Sequence, residues 1–272
     1  MSTLRALGRR LRRADTARPP APAPYGYDSW LTAFHDDVLA GLDTACAEGT
    51  PLSAFADLDV DLWALLLTQQ YSVYPNLRAA LPDVPEPAIQ ERWSGLSGVP
   101  LAIQSAAFYR LLTQRYAEVG ARPLDQSRVL DFGCGWGRLT RFLTRDVPPE
   151  RLCGCDPVAS ILDECRVPAT LAQSDVFPER LPFDESFDLA FAFSVFTHLS
   201  EAAHERCLGA LSAGLGPGGI LVVTIRPPAY LDENPLMEPV RDGAAARLAE
   251  ASYLFAPHPP DPSTRSTRAP AR

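Results

Sequence analysis

No lysine occurs in the 272 residues; all 25 basic side chains are arginines. With the excess of Ala and Pro, this bias reads as GC-rich coding. Long apolar runs are missing too. The longest, such as Gly219 to Ile225, fall far short of the ~20 residues that cross a bilayer, so no membrane span is expected. No apolar signal-peptide core follows the N-terminus, and the chain is expected to be cytoplasmic. Histidine is scarce (His35, His198, His204, His258), and the six cysteines form no C-x-x-C pair. Zinc spacing is therefore absent and no metal site is expected. Cys46, Cys134, Cys153, Cys155, Cys165 and Cys207 read as small hydrophobes kept reduced.

What is present suffices for a large core. The chain is 46% hydrophobic and 21% charged, which excludes collagen-like, disordered and disulfide-scaffold classes. Its net charge of −8 is unevenly spread. Residues 1–24 carry six Arg against one Asp, a surplus of five, and residues 259–272 three Arg against one Asp, a surplus of two. Residues 25–258 are left with −15. A body that acidic repels phosphate backbones, so nucleic acid is not an expected partner.

Four segments follow from the pattern. Residues 1–26 are a basic, Pro-rich tail, expected to be disordered, although Leu4, Leu7 and Leu11 share one helical face. Residues 27–125 are helical in pattern: Trp30, Phe34, Val38 and Leu42 recur every four residues, Leu62 to Leu67 lead to Tyr71 and Tyr74, and a third run spans Ala102 to Tyr116. This block is expected to form a helical cap. Trp93, Tyr71, Tyr74 and Tyr109 are candidates for an acceptor pocket, with plain core packing as the ordinary alternative.

Residues 126–256 alternate short apolar runs with helical patterns. The expected strands lie at Val129-Leu130, Leu152 to Cys155, Thr170 to Gln173, Leu189 to Phe193 and Ile220 to Ile225. Helices are expected over Arg138 to Thr144, Ala159 to Cys165, and Glu201 to Leu215 behind an N-cap at Ser200. The alternation predicts an α/β fold with a doubly wound, mostly parallel, Rossmann-like sheet. Residues 257–272 are a second tail, expected to be disordered.

The chemistry-bearing segment is Val129-Leu130-Asp131-Phe132-Gly133-Cys134-Gly135-Trp136-Gly137. It closes a strand, and its alternate glycines let the backbone turn sharply and approach a ligand. The dinucleotide fingerprint would need glycine where Arg138 stands, which argues against NAD. Asp131, Asp156 and Asp175 end three adjacent strands on one rim. Such a rim disfavours a phosphate-bearing cofactor and suits one with a ribose, an amine and a positive charge.

The segment resembles the first motif of class I S-adenosylmethionine-dependent methyltransferases, an acidic residue with glycines two, four and six places on. Asp156, Ser174-Asp175, Leu181 to Asp188, Ser194 to Leu199 and Leu215 to Gly219 are similar to later family motifs, in order. The resemblance covers about residues 126–226. It implies S-adenosylmethionine as cofactor and a class I methyltransferase fold. It also implies that Asp131 helps place the methionine amine and that Gly133 and Gly135 give close backbone approach. Asp156 would hold the ribose, with Pro157 and Val158 flanking the adenine. Asp175 and the Val176 amide would meet the adenine amine, and Ser194 the methionine part. Each residue also has an ordinary role in turns or helix caps.

His198 is the candidate base where an acceptor must lose a proton, with a structural role as the alternative. Val240 to Ala251 is expected as a helix and Tyr253-Leu254-Phe255 as a sixth strand. The family's seventh strand has no counterpart, so the C-terminal end of the sheet is expected to be incomplete, as after a frameshift. The function expected is methyl transfer to a small molecule or a glycan. An inactive binding or scaffold protein of the same fold is the alternative.

Overall fold

The computed structural model describes residues 28–68, 74–234, 237–251 and 253–255. The expected tails at 1–26 and 257–272, and Tyr71, lie outside the described residues. The chain divides into two compact units. The first comprises the described residues up to Arg110 together with Arg141–Asp146 and Arg166–Pro168. The second holds Leu111–Thr140, Val147–Cys165 and the described residues from Ala169 on.

The first unit is helical: α1 (Asp28–Ala47), α2 (Pro51–Ala56), α3 (Val60–Thr68), α4 (Pro75–Ala80), α5 (Pro87–Ser94) and the start of α6 (Gly98–Val119). Proline stands at the first turn of α2, α4 and α5, where its missing N–H costs nothing. Among the described side chains of α1, Leu39 and Leu42 are buried and Val38 of the expected repeat is exposed, while the side chains of Trp30 and Phe34 lie outside the description. α1 is kinked at His35.

Residues 141–146 bind this unit together. The Trp63 indole donates to the Phe142 carbonyl at 3.0 Å. The Arg145 guanidinium donates to the carbonyls of Leu58 at 2.9 Å and Ala56 at 2.8 Å. Tyr109, an acceptor-pocket candidate, is instead core: it packs against Phe142 with ring centroids 5.6 Å apart, and its hydroxyl donates to Asp146. Tyr74 donates to Asp36, and Trp93 is 45% exposed.

The second unit is built on five parallel strands: β1 (Val129–Phe132), β2 (Leu152–Asp156), β3 (Thr170–Gln173), β4 (Phe187–Ala192) and β5 (Leu215–Val223). Their order is β3-β2-β1-β4-β5. The sequence direction reverses between β1 and β4, and such a switch point opens a crevice at the carboxyl ends of the strands. Asp131 pairs with Gly154 on one side and Phe191 on the other, so β1 is the centre of the sheet. One face of the three central strands presents Leu130, Phe132, Cys153, Cys155, Ala190 and Ala192, and these pack with Cys207 and Leu211 of the helix that follows β4.

That helix, α9 (Glu201–Gly214), has Ser200 as its N-cap, accepting from the Ala203 amide, as expected. Two expected helices are shorter. Hydrogen-bonded turns replace the start of the first, leaving α7 (Thr140–Leu143), and α8 (Ala159–Leu162) ends in a turn before Cys165. α10 (Tyr230–Glu233), α11 (Glu238–Arg241) and α12 (Ala244–Ala251) follow β5. The expected sixth strand is corrected: Tyr253–Phe255 form no strand, and the Tyr253 hydroxyl donates to the Leu199 carbonyl at 2.6 Å. Among the described residues the sheet ends at β5.

Candidate functional site

Parallel strands bring the ends of β1, β2, β3 and β4 to one rim. Asp131 lies inside β1 and is 2% exposed. The Thr140 hydroxyl donates to its Oδ2 at 2.6 Å. Burial pushes the Asp131 carboxyl up to about 7, with the Thr140 hydrogen bond and the Arg138 cation pulling the other way and Asp156 adding to the rise. Burial also lowers Arg138, to about 10, so it stays charged at neutral pH. Its guanidinium lies 4.6 Å from the Phe193 ring centroid.

The backbone after β1 turns through three glycines with positive φ, Gly133, Gly135 and Gly137. The amides of Gly133 and Cys134 both donate to the Cys155 carbonyl, at 2.8 and 3.0 Å, which ties the turn to β2. A Cβ on Gly133 would collide with Val195 Cγ2, so this glycine admits the segment after β4. A Cβ on Gly135 would meet nothing nearer than 3.9 Å, leaving open space beside its backbone.

Asp156 ends β2 and is 8% exposed. Its Oδ2 accepts from the Gly135 amide and its Oδ1 from the Val158 amide, both at 2.9 Å. Burial raises its pKa and the two amides oppose the rise. Pro157 is half-buried beside it, while Asp175 and Val176, beyond β3, are exposed, Val176 to 62%. Ser194, after β4, is the only non-glycine among the described residues with positive φ, at 64°. Its hydroxyl lies 3.4 Å from His198 Nε2, and His198 is exposed.

The site thus offers two carboxylates, Asp156 held by the Gly135 and Val158 amides and Asp131 by the Thr140 hydroxyl, with an open backbone surface at Gly135. That donor and acceptor set fits a ribose diol and an ammonium group. Phosphate would face buried carboxylates instead.

Residues 129–219 match the family model of a methyltransferase domain. The matched segment, within its five-stranded parallel sheet, is a class I S-adenosylmethionine-dependent methyltransferase domain. It is 27% identical over 124 residues to trans-aconitate 2-methyltransferase of Variovorax paradoxus (strain S110), covering 41% of this chain and 47% of that protein. A protein of the same name from Methylobacterium nodulans is 36% identical over 136 residues, covering 46% and 49%. The chain spans about half the length of these relatives. The crystal structure of DesVI from Streptomyces venezuelae aligns with 53% of this chain and 58% of that one, at 21% identity and a TM-score of 0.40.

Around this candidate site the structure adds residues that the motif reading missed. Thr140 holds Asp131, Val195 fills the space at Gly133, and Thr224 accepts from the Ser194 amide at 2.7 Å. Cys134, between two motif glycines, is buried and shares a thiol hydrogen bond with Cys165, and this hydrogen bond together with burial holds its thiol well above the usual range. A single hydroxyl or methyl carries no periodicity, which is why only the fold reveals these partners.

Proposed function

We propose that this domain binds S-adenosylmethionine and transfers its methyl group to a small molecule or a glycan. The reading rests on Asp156, a nearly buried carboxylate whose two oxygens are aimed by the Gly135 and Val158 amides at the rim of a sheet of this family. Asp156 accepts from the ribose hydroxyls, with Pro157 beside the adenine and Asp175 and the Val176 amide toward its amine. Asp131 orients the methionine ammonium, Gly133 and Gly135 set the backbone that borders it, and Ser194 meets the methionine part through its backbone.

When bound, the cofactor supplies a methyl group already activated on a sulfonium, so orientation and electrostatics carry most of the catalysis. His198 takes the proton from an acceptor that must lose one. The helical segment 27–125 is assigned to acceptor recognition and 126–256 to methyl transfer. The acceptor named for the matched relatives, trans-aconitate, is a small molecule, which supports that class. The charge of −15 over residues 25–258 argues against a nucleic-acid acceptor. Cys46, Cys134, Cys153, Cys155, Cys165 and Cys207 form no disulfide among the described residues, which supports a reducing, cytoplasmic setting.

Calorimetric titration with S-adenosylhomocysteine, with NAD as control, tests the reading. Saturable binding of S-adenosylhomocysteine alone is expected. Asp156→Ala should weaken it by roughly 1–3 kcal/mol, the cost of a buried hydrogen-bond partner. No binding by a cooperatively folded wild type would overturn the reading in favour of a scaffold of the same fold.

A further inference from the structure

The segment after β4 is held by a residue thirty positions further along the chain. Ser194 adopts a left-handed backbone that an L-residue with a side chain takes only under constraint. Two hydroxyls supply the constraint. Thr197 Oγ1 donates to the Ser194 carbonyl at 2.9 Å, and the Ser194 amide donates to Thr224 Oγ1 at 2.7 Å. Thr197 belongs to the same turn, so it moves with it. Thr224 does not: it directly follows β5, and its own amide donates to the Ala192 carbonyl at 3.2 Å, extending the β4–β5 ladder.

The turn so fixed has consequences on both sides. Val195, the next residue, puts its Cγ2 into the space that a Cβ on Gly133 would need. On the other side the Ser194 hydroxyl lies 3.3 Å from Thr197 Oγ1 and 3.4 Å from His198 Nε2. The contact between Val195 and Gly133 joins the carboxyl ends of β4 and β1, the two strands that flank the switch point. A displacement of the turn would therefore be felt at the glycine backbone.

We propose that Thr224 is a positioning residue of the cofactor site: its hydroxyl clamps Ser194 in the left-handed conformation and thereby holds Val195 against the glycine turn. This rests on the cofactor reading given above. Thr224 acts through Ser194 and Val195. The hydroxyl oxygen is the working part, so serine can replace threonine while valine, of nearly the same volume, cannot.

The test uses the full chain and two readouts, S-adenosylhomocysteine affinity by calorimetry and amide hydrogen exchange at Ser194 and Val195. Thr224→Val is expected to weaken S-adenosylhomocysteine about tenfold and to speed exchange at both amides about tenfold, with cooperative unfolding retained. Thr224→Ser should stay within about threefold of wild type in both. In a Ser194→Gly background, where the left-handed conformation needs no clamp, adding Thr224→Val should change affinity by less than about threefold.

Wild-type affinity or unchanged exchange in Thr224→Val would overturn the proposal. So would equal losses in the Val and Ser variants, which would mark a packing role. If Thr224→Val does not fold cooperatively, Thr224→Ala is compared with Thr224→Ser on the same criteria. A wild type that fails to bind S-adenosylhomocysteine would overturn the cofactor reading, and the exchange comparison would still decide the role of Thr224.

Discussion

Asp131 is the residue whose environment says most about its task. A carboxyl on the central strand, 2% exposed, has traded water for the hydroxyl and amide of Thr140 and a neighbouring arginine. An ordinary aspartate titrates near 4, whereas burial lifts this one to about 7. The sign follows by linkage. Between about pH 4 and 7 the folded state holds a proton that the unfolded chain has released, so stability falls as pH rises through that window. The difference amounts to roughly 4 kcal/mol at its upper end. Asp131→Asn removes the titration. In urea unfolding at pH 5 and pH 8, wild type should lose markedly more stability between the two than Asp131→Asn does. Parallel losses would mean that Asp131 is already ionised at pH 5. The same group links pH to ligand: a cation placed beside it favours the ionised form, so affinity for S-adenosylmethionine should tighten as pH rises through about 7.

At the scale of elements, the segment 141–146 shows how a short stretch can organise a unit. α2 has six residues, too few to hold its shape by propensity alone. Arg145, 8% exposed, gives its carboxyl end two hydrogen bonds, to Ala56 and Leu58. Arg145→Met keeps the aliphatic stem and strands both carbonyls, so chemical denaturation should register a loss of about 2–4 kcal/mol. Arg145→Lys can satisfy one of them and should lose less. Equal stability of Arg145→Met and wild type would show that α2 is held by packing alone.

None of this anchoring is legible from periodicity, because Arg145 and its acceptors are almost ninety residues apart and the acceptors are backbone. The strands are a different matter. β2 and β3 fall on the apolar runs that announced them, since each is a continuous stretch between turn residues. β4 begins two residues early at Phe187, where aromatic burial extends it. The failure at Tyr253–Phe255 has a physical cause as well. Three apolar residues carry no strand unless a neighbour pairs with them, and Tyr253 instead spends its hydroxyl on Leu199. At the site the acidic and glycine positions were readable because their spacing is fixed by the strand-to-turn geometry. The threonines that hold them were not, because a hydroxyl can come from any element that happens to arrive.

At the scale of the whole molecule, charge is the remaining lever. Residues 25–258 carry −15, and near the rim stand Asp131 within β1, Asp156 at the end of β2 and Asp175 two residues beyond β3. A field of that sign concentrates cations, and salt screens it over a length that falls from about 10 Å at 0.1 M to about 3 Å at 1 M. The cofactor and its product isolate the effect, because S-adenosylmethionine carries one more positive charge than S-adenosylhomocysteine, with nearly the same shape. Raising salt from about 0.05 M to about 0.5 M should weaken S-adenosylmethionine about three- to tenfold and S-adenosylhomocysteine less than twofold. Titrations at the two salt concentrations check it. If both ligands weaken equally, the acidic field does not set the preference, and affinity must come from hydrogen bonds shared by the two, with Asp156 the first to examine. If only the methylated ligand weakens, the field favours the charged cofactor over its spent product. The acidic field would then release the product more readily than the cofactor.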